Sequence, residues 1–302
     1  MGLHIVQELL DQGARVRVPI HQRPLAVKDD RIEVFPSDLT KQEDCLAVMQ
    51  GVDCVFHAAG FVGGAGVGVD EAFANIGMNL VLAVQVIRAA WTAGVDRFLL
   101  FSSSAVYPAI DFPLKEEQAW AGSVHPSYFG YGWMRRYLEK LGEFVALKSK
   151  IKVALVRPTA IYGRWDNFDA QTSHVIPALI RKAVQKQNPF EVWGSGQEVR
   201  DFLHVSDLAR GSLLALEKHA VCDPINIGYG KGYAIKDVVG MILKSADYRE
   251  ARVVFDESKP STIPFRMVDI SKAKLVLGFQ PRVSLEEGLN DTVRWFKQNH
   301  SS

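Results

Sequence analysis

Cysteine is scarce in this sequence, and the few thiols lie far apart. The 302 residues include only Cys45, Cys54 and Cys222, and no two of them form a Cys-x-x-Cys pair. A disulfide framework or a zinc site needs more cysteines at closer spacing. The pattern therefore excludes both kinds of site and predicts reduced thiols in a cytoplasmic protein.

An excess of charge of one sign is also absent. Lysine and arginine together number 35 and aspartate and glutamate 34, which gives a formal net charge of +1. Proteins that attract nucleic acid or an anionic membrane over long range carry a clear excess of basic residues. We therefore predict that neither nucleic acid nor a membrane surface is a partner.

Long apolar runs are missing as well. The most apolar helical stretch, residues 81–86, is interrupted by Gln85 and followed by Arg88, whereas a membrane-spanning helix needs roughly 20 mostly apolar residues. The first residues have no basic segment and soon reach Glu8. The sequence thus predicts neither a membrane span nor a signal peptide.

What the sequence does contain is an alternation of short strand-like apolar runs with helical runs. Predicted strands cover 15–19, 32–35, 54–58, 97–102 and 152–156, and a long helix covers 74–93. Strands separated by helices predict right-handed βαβ units, and hence an α/β protein with a doubly wound parallel sheet. After about residue 165, shorter strands are predicted at 201–205, 224–227 and 253–255, with helices at 235–244 and 284–298.

Small and polar residues cluster where the predicted strands end. Asp38 follows the second strand, Ala58, Ala59 and Gly60 follow the third, and Ser102 to Ser104 follow the fourth. Ligands of open parallel sheets bind at the carboxyl ends of the strands. We therefore expect a ligand site along this edge.

Tyr131 and Arg135 are spaced for proton chemistry. Residues four apart on a helix share a face, and a cation beside a phenol favours its ionised form. Tyr131 is then suited to donate or accept a proton, and Ser103 stands near the end of a strand upstream. Taken alone, this helix is equally compatible with an ordinary amphipathic helix that buries a tyrosine.

Several longer motifs accompany this pair. They are Val62-Gly63-Gly64, Ile161-Tyr162-Gly163, Asp166-Asn167-Phe168, Ser173 to Leu179, Trp193 to Gly196, Arg200 to Val205, Val253 to Asp256 and Lys259-Pro260. With them, nearly the whole chain resembles the extended short-chain dehydrogenase/reductase family, in its NAD-dependent epimerase/dehydratase branch of GDP-fucose-synthase type. The resemblance implies a Rossmann-type dinucleotide-binding domain over 1–165 and a smaller substrate-binding lobe over 166–302, with some segments returning to the sheet.

The resemblance also implies roles for individual residues. Ser103 would bind the substrate carbonyl, Tyr131 would donate the proton, Arg135 would stand in the position of the family lysine, and His174 would act as acid or base in epimerisation. The implied cofactor-binding residues are Gly2, Asp38, Leu39, Ala58, Ala59, Gly60, Ser102, Arg135, Pro158 and Ile161. The implied substrate-binding residues are Ser103, His174, Lys182, Trp193, Arg200 and Arg266.

The basic side chains can pair with phosphate groups. The indole of Trp193 can stack on a ring of the ligand. Each assignment has a plain alternative. His174 could cap a helix, Trp193 could belong to the core, and Arg200 could be a surface charge.

The sequence departs from the family pattern at three places. It starts at the last glycine of the family's Gly-rich turn, Gly2, so we expect a form without the first strand and the phosphate-binding loop: a fragment, a spliced product or a mis-set start. Arg135 replaces the family lysine and cannot copy its compact ammonium group. Ala105 replaces the cysteine that acts as second epimerisation base, which favours ketone reduction over two-sided epimerisation.

The cofactor prediction is NADP or NAD. No acidic residue ends the strand at 15–19, whereas His21 and Arg23 follow it. Basic residues there suit a ribose 2′-phosphate, which favours NADP, and the resemblance puts Asp38 at the adenine edge.

Three functional hypotheses follow. The first is an NAD(P)-dependent epimerase or reductase of a nucleotide-diphosphate sugar, which the resemblance implies to be a homodimer joined through two long helices. The second is a dehydrogenase of another carbonyl or alcohol, such as a sterol. The third is a truncated or inactive pseudoenzyme with a regulatory role.

Overall fold

The computed structural model describes residues 1–61, 68–259 and 263–300. Of the motifs above, Val62-Gly63-Gly64 and Pro260 lie outside the described residues. The described helices are α1 (Gly2–Asp11), α2 (Gln42–Val48), α3 (Val69–Ala93), α4 (Phe129–Lys148), α5 (Val175–Val184), α6 (Val205–Lys218), α7 (Ile235–Ala246) and α8 (Leu285–His300). The first six strands are β1 (Val16–Ile20), β2 (Ile32–Pro36), β3 (Cys54–His57), β4 (Arg97–Phe101), β5 (Lys152–Pro158) and β6 (Ala160–Tyr162). The other six are β7 (Phe190–Trp193), β8 (Val199–His204), β9 (Ile225–Ile227), β10 (Gly232–Ala234), β11 (Val253–Asp256) and β12 (Phe265–Arg266).

A parallel sheet in the order β3-β4-β5-β9 forms the centre of the molecule. Its middle strands have apolar centres because helices cover both faces, and Leu99 and Ala154 are completely buried. The register pairs Phe101 of β4 with Val156 of β5. Their carboxyl ends therefore lie side by side, and the predicted Rossmann-type α/β fold is confirmed.

The predicted sheet is not continuous, however. β1 pairs in parallel with β2 and forms a separate two-stranded ladder. Among the described strands, none pairs with both β1 and β3. The parallel strands from β1 to β5 therefore form two separate ladders, β1-β2 and β3-β4-β5.

The second half of the chain contributes to two regions. β8 is flanked by β10 and β12 and also pairs with β6, while β7 pairs with β11. Helices α5, α7 and α8 pack around an apolar core with these strands. In contrast, β9 joins the central sheet beside β5, and α6 packs on the same sheet. Segments after 165 thus do return to the sheet.

Helix α3 is longer than predicted, since it begins at Val69 rather than near residue 74. It ends at Gly94, whose φ of 74° is the left-handed conformation in which glycine commonly ends a helix. Within the described residues, α3 is long and apolar enough to cross a membrane by length and composition alone. Its inner face, including Ala83 and Ala90, is fully buried against the rest of the protein.

Candidate active site

Helix α4 brings Tyr131 next to the segment that follows β4. A Cβ atom added to Gly132 would lie 2.5 Å from the carbonyl oxygen of Ala105, so only glycine allows the helix to come this close. In that segment the backbone N–H of Ala105 donates to Ser103 Oγ at 3.1 Å. The hydroxyl proton of Ser103 is therefore left for another acceptor.

Arg135 lies one helical turn after Tyr131 and contacts its ring. The guanidinium carbon is 4.9 Å from the ring centroid, a cation–π contact. Nη1 donates to the carbonyl oxygen of Phe101 at 2.9 Å. Nε is buried and has no hydrogen-bond partner among the residues that the structure describes. Arg135 thus ties the tyrosine to the end of β4 and keeps one donor unused.

Glu139, one turn further along α4, forms a buried ion pair with Arg157 of β5. Arg157 Nε donates to Oε1 at 2.8 Å and Nη2 to Oε2 at 2.7 Å. Ser102 Oγ donates to the same carboxylate. The pair fixes the second and third turns of the helix against two strand ends. Sequence reasoning did not assign it a role, although Glu139 continues the four-residue spacing of Tyr131 and Arg135.

A polar network extends from this pair. Arg157 Nη1 donates to the hydroxyl of Tyr107 at 3.1 Å and to the carbonyl of Glu116 at 2.7 Å. The Tyr107 hydroxyl donates to Asn226 Oδ1 at 2.6 Å. This network links α4, the segment after Ser103 and strand β9, and sequence reasoning missed it.

The predicted cofactor residues lie at the carboxyl ends of the strands. Asp38 follows β2 and accepts hydrogen bonds from the backbone N–H and hydroxyl of Thr40, which hold its pKa below the usual value. Ala58, Ala59 and Gly60 follow β3. A Cβ at Gly60 would lie 2.8 Å from Asn79 Oδ1, so the chain passes close to α3 there.

The start of α1 lies at the same edge. A Cβ at Gly2 would be 3.8 Å from that of Ala58, and the first turn of α1 carries no acidic residue. A helix N-terminus attracts anions, but here the carboxyl of Asp166 interacts with the amino group of Met1, directly before the helix. Four further residues were predicted to bind the cofactor. Leu39 and Ser102 lie after β2 and β4, Pro158 ends β5, and Ile161 lies in β6. The predicted cofactor residues thus lie along one strand-end edge.

His57 at the end of β3 is a buried group that sequence reasoning missed. Burial, together with the charge of Arg135, lowers its pKa to about 4. The imidazole is therefore neutral near pH 7, beside the arginine that contacts Tyr131.

Arg200 and Arg266 form a second cluster. They are direct neighbours in the parallel pairing of β8 with β12. Burial, with a smaller contribution from the neighbouring Arg200, lowers the pKa of Arg266 to about 10. Arg266 is 6% exposed, and within the described part of the chain its Nε has no hydrogen-bond partner. Two adjacent guanidinium groups of this kind suit a phosphate or diphosphate.

The arginine cluster adjoins the tyrosine helix. Arg266 Nη1 donates to the carbonyl oxygen of Pro108 at 3.1 Å, and Pro108 follows the Ser103 segment. Tyr128, three residues before Tyr131, interacts electrostatically with both Arg200 and Arg266. The arginine cluster thus contacts the chain five residues after Ser103 and interacts with the residue three before Tyr131.

Lys182 and Trp193 meet at Glu191 in β7. Lys182 Nζ donates to the carbonyl oxygen of Glu191 at 2.7 Å, and the Trp193 indole donates to its carboxylate at 2.9 Å. Trp193 is 41% exposed, so it does not belong to the core. The ring is available for stacking.

His174 directly precedes α5 and is exposed. Its side chain makes no capping hydrogen bond to the helix, which removes the simplest structural role for it. It interacts electrostatically with Asp166, a carboxyl whose pKa is raised by burial. His174 is therefore an exposed imidazole close to a buried acid.

Known proteins resemble this chain over most of its length. The chain is 32% identical to a putative GDP-L-fucose synthase 2 of Arabidopsis thaliana, over 99% of this chain and 89% of that protein. It is 29% identical to a dTDP-4-dehydro-6-deoxy-D-allose reductase of a Streptomyces species, over 98% and 93% of the two chains. A GDP-L-fucose synthetase of Naegleria fowleri bound to NADP superposes with a TM-score of 0.78 at 26% identity, covering 88% of this chain and 83% of that one.

The agreement extends to a whole family. Residues 1–228 match the sequence profile of the NAD dependent epimerase/dehydratase family, and the matched range contains Ser103, Tyr131 and the strand-end edge. The chain therefore belongs to the NAD dependent epimerase/dehydratase family and is an NAD(P)-dependent oxidoreductase or epimerase.

Proposed function

We propose that this protein is an NAD(P)-dependent epimerase/reductase of the GDP-fucose-synthase type that reduces the keto group of a nucleoside-diphosphate sugar. The observation that carries the proposal is the Arg200–Arg266 cluster beside the Ser103 segment. A diphosphate on this cluster would hold the sugar next to Ser103 and Tyr131. Lys182 and the exposed ring of Trp193 serve the rest of the nucleotide.

The chemistry of the proposed site follows from hydrogen-bond roles. Ser103 Oγ already accepts the Ala105 N–H, so its own proton points to the substrate carbonyl oxygen. Tyr131 gives its phenolic proton to that oxygen, and the Arg135 guanidinium on the ring face stabilises the phenolate left behind. When bound, NAD(P)H supplies the hydride to the carbonyl carbon.

The proposed reaction is reduction without two-sided epimerisation. Ala105 offers no group that could exchange a proton, and it is buried beside Gly132. His174 remains as one acid or base, which allows epimerisation at a single centre at most. The relation to a dTDP-4-dehydro-6-deoxy-D-allose reductase supports this choice.

NADP is the proposed cofactor. His21, just after β1, is close enough to Asp38 to contribute to the low pKa of that carboxyl. A basic side chain at this corner suits a ribose 2′-phosphate. The NADP-bound relative supports the same choice.

A homodimer is the proposed assembly. Helices α3 and α4 expose apolar side chains, with Phe73 at 78%, Phe144 at 52% and Leu147 at 73% exposure. The rings of Trp91 and Phe144 lie 6.1 Å apart and join the two helices into one face. A contiguous apolar face of this kind is typical of protein interfaces, so we assign α3 to the dimer contact rather than to a membrane.

Sedimentation tests the assembly. We expect Leu147→Glu to convert dimers to monomers, while Leu275→Glu, at an equally exposed leucine outside α3 and α4, leaves dimers intact. A wild-type monomer, or equal behaviour of the two variants, would refute the dimer.

We also propose the two-lobe division at 165/166 and a cytoplasmic site of action, in line with the three free cysteines.

The substrate class is tested by calorimetric titration with GDP and dTDP in the presence of NADPH. We expect Arg266→Met to weaken nucleotide binding by about 10- to 100-fold, the loss of one charged hydrogen-bonding group. Arg249→Met removes an exposed arginine elsewhere and serves as the matched control. Equal affinities of wild-type protein, R266M and R249M would rule out the arginine cluster as the phosphate site.

A further inference from the structure

Arg136 is a buried cation on α4 with an unusual set of contacts. It is 2% exposed, and its guanidinium lies between two indoles, 5.0 Å from the Trp120 centroid and 4.7 Å from the Trp133 centroid. Nε donates to the carbonyl oxygen of Val106 at 2.9 Å and Nη2 to that of Gly122 at 2.7 Å. The side chain thus joins the helix to both ends of the segment 106–122.

The energetics argue against a role in stability alone. Burial lowers the pKa of Arg136, which means that the charged form loses hydration in the fold. The hydrogen-bond acceptors described above are neutral carbonyls, and such acceptors compensate a buried charge only in part. The Glu139 carboxylate and the two indole rings also stabilise the charge, while the hydrogen bonds to Val106 and Gly122 fix the position of the chain around it.

That geometry concerns the Ser103 segment. Helix α4 makes three side-chain hydrogen bonds to it, in addition to the close approach of Gly132 to Ala105: Arg135 donates to Phe101 O, Glu139 accepts from Ser102 Oγ, and Arg136 donates to Val106 O. The first two contacts precede Ser103 and the third follows it. Ser103 is therefore fixed from both sides relative to α4, where Tyr131 lies one turn before Arg135.

We infer that Arg136 is a positioning residue that sets the Ser103 hydroxyl against the Tyr131 hydroxyl, so that both reach one carbonyl oxygen. This role rests on the proposed function. Displacement of about 1 Å in a reacting group can slow a reaction by about 100-fold. Loss of the Val106 contact removes the side-chain hydrogen bond that holds the chain after Ser103, while the pairing of β8 with β12 still holds the backbone of Arg200 and Arg266.

The test compares Arg136→Met and Arg136→Lys with Lys140→Met. Lys140 also lies over the Trp120 ring, at 5.2 Å, but its ammonium pairs with Glu143 at the surface. We expect R136M to lower kcat by about 10- to 100-fold with KM for the keto sugar within about 3-fold. R136K, which keeps a donor and the charge, should restore part of kcat, and K140M should match wild-type protein.

Hydrogen exchange of the amides of residues 101–107 supplies a readout that does not depend on activity. R136M should speed exchange there, and K140M should not. Unchanged exchange in R136M, or faster exchange with unchanged kcat, would overturn the positioning role. Wild-type protein that oxidises no NADPH with any keto sugar would refute the proposed function, and the catalytic part of this role with it, whatever the exchange result.

Discussion

Breaking the buried Glu139–Arg157 pair should destabilise the protein far more than breaking an ion pair at the surface of the same helix. The buried side chains are 5% and 1% exposed and share two hydrogen bonds. Lys140, the residue after Glu139, forms an ion pair with Glu143 on the same helix. These two side chains are 56% and 47% exposed. The two pairs therefore differ mainly in burial.

The expected magnitudes follow from that difference. Removing one partner of a buried pair leaves an uncompensated charge and costs about 3–5 kcal/mol, whereas an exposed pair contributes about 0–1 kcal/mol. A chain of this length unfolds with an entropy of about 0.6 kcal/mol/K near 60 °C. Glu139→Gln should therefore lower Tm by about 5–8 °C and Lys140→Met by less than about 2 °C.

Thermal unfolding followed by circular dichroism measures both variants, and a double variant completes the test. Replacing both buried partners by apolar residues removes the stranded charge, so Glu139→Met with Arg157→Met should be less destabilised than Arg157→Met alone. Equal Tm losses for E139Q and K140M would refute the reasoning. A double variant as unstable as the summed single variants would do so too.

Three further predictions concern the site and its surroundings. Gly132→Ala places a methyl group 2.5 Å from the Ala105 carbonyl oxygen, so we expect about 1–3 kcal/mol of destabilisation in denaturation experiments. We also expect a lower kcat for NADPH oxidation. Unchanged stability and kcat would contradict the close approach. Ala105→Cys adds a group that can exchange a proton, so the fraction of epimerised product, read by NMR, should rise above the wild-type level, and an unchanged product ratio would count against residue 105 as the epimerisation position. Burial raises the pKa of Asp201 to about 7, far above the unfolded value of about 3.9. The folded state then binds more protons than the unfolded state. The contribution of Asp201 to stability is therefore largest below about pH 4 and is lost as pH rises to about 7. Asp201→Asn should flatten that dependence in urea titrations at several pH values, and an equally steep curve for the variant would contradict the assignment.

Much of the central fold could be predicted because buried parallel strands are continuous apolar runs. The predicted strands at 97–102 and 152–156 differ from β4 and β5 by only one or two residues at their ends. Strands of two or three residues, such as β10 and β12, were missed, since they exist through pairing with β8 and carry no period of their own. Helix α2, of seven residues, was too short to leave a clear periodic signal.

The site was predictable to a different degree. The four-residue spacing of Tyr131 and Arg135 pointed to one helix face, and the same spacing could have included Glu139. The partner of Glu139 depends on the register of β4 with β5, which sequence does not contain. Likewise, the adjacency of Arg200 and Arg266 comes from the β8–β12 pairing and could not follow from their separate motifs.

The most direct test of the proposed reaction is NADPH oxidation in the presence of a nucleoside-diphosphate 4-keto-6-deoxy sugar. The assay compares the wild-type protein with the Tyr131→Phe variant. Stopped-flow absorbance should show stoichiometric oxidation by the wild-type protein. Y131F should be at least about 100-fold slower while it binds NADPH with equal affinity. Wild-type protein that oxidises no NADPH, or Y131F that reacts at the wild-type rate, would contradict the proposed reaction.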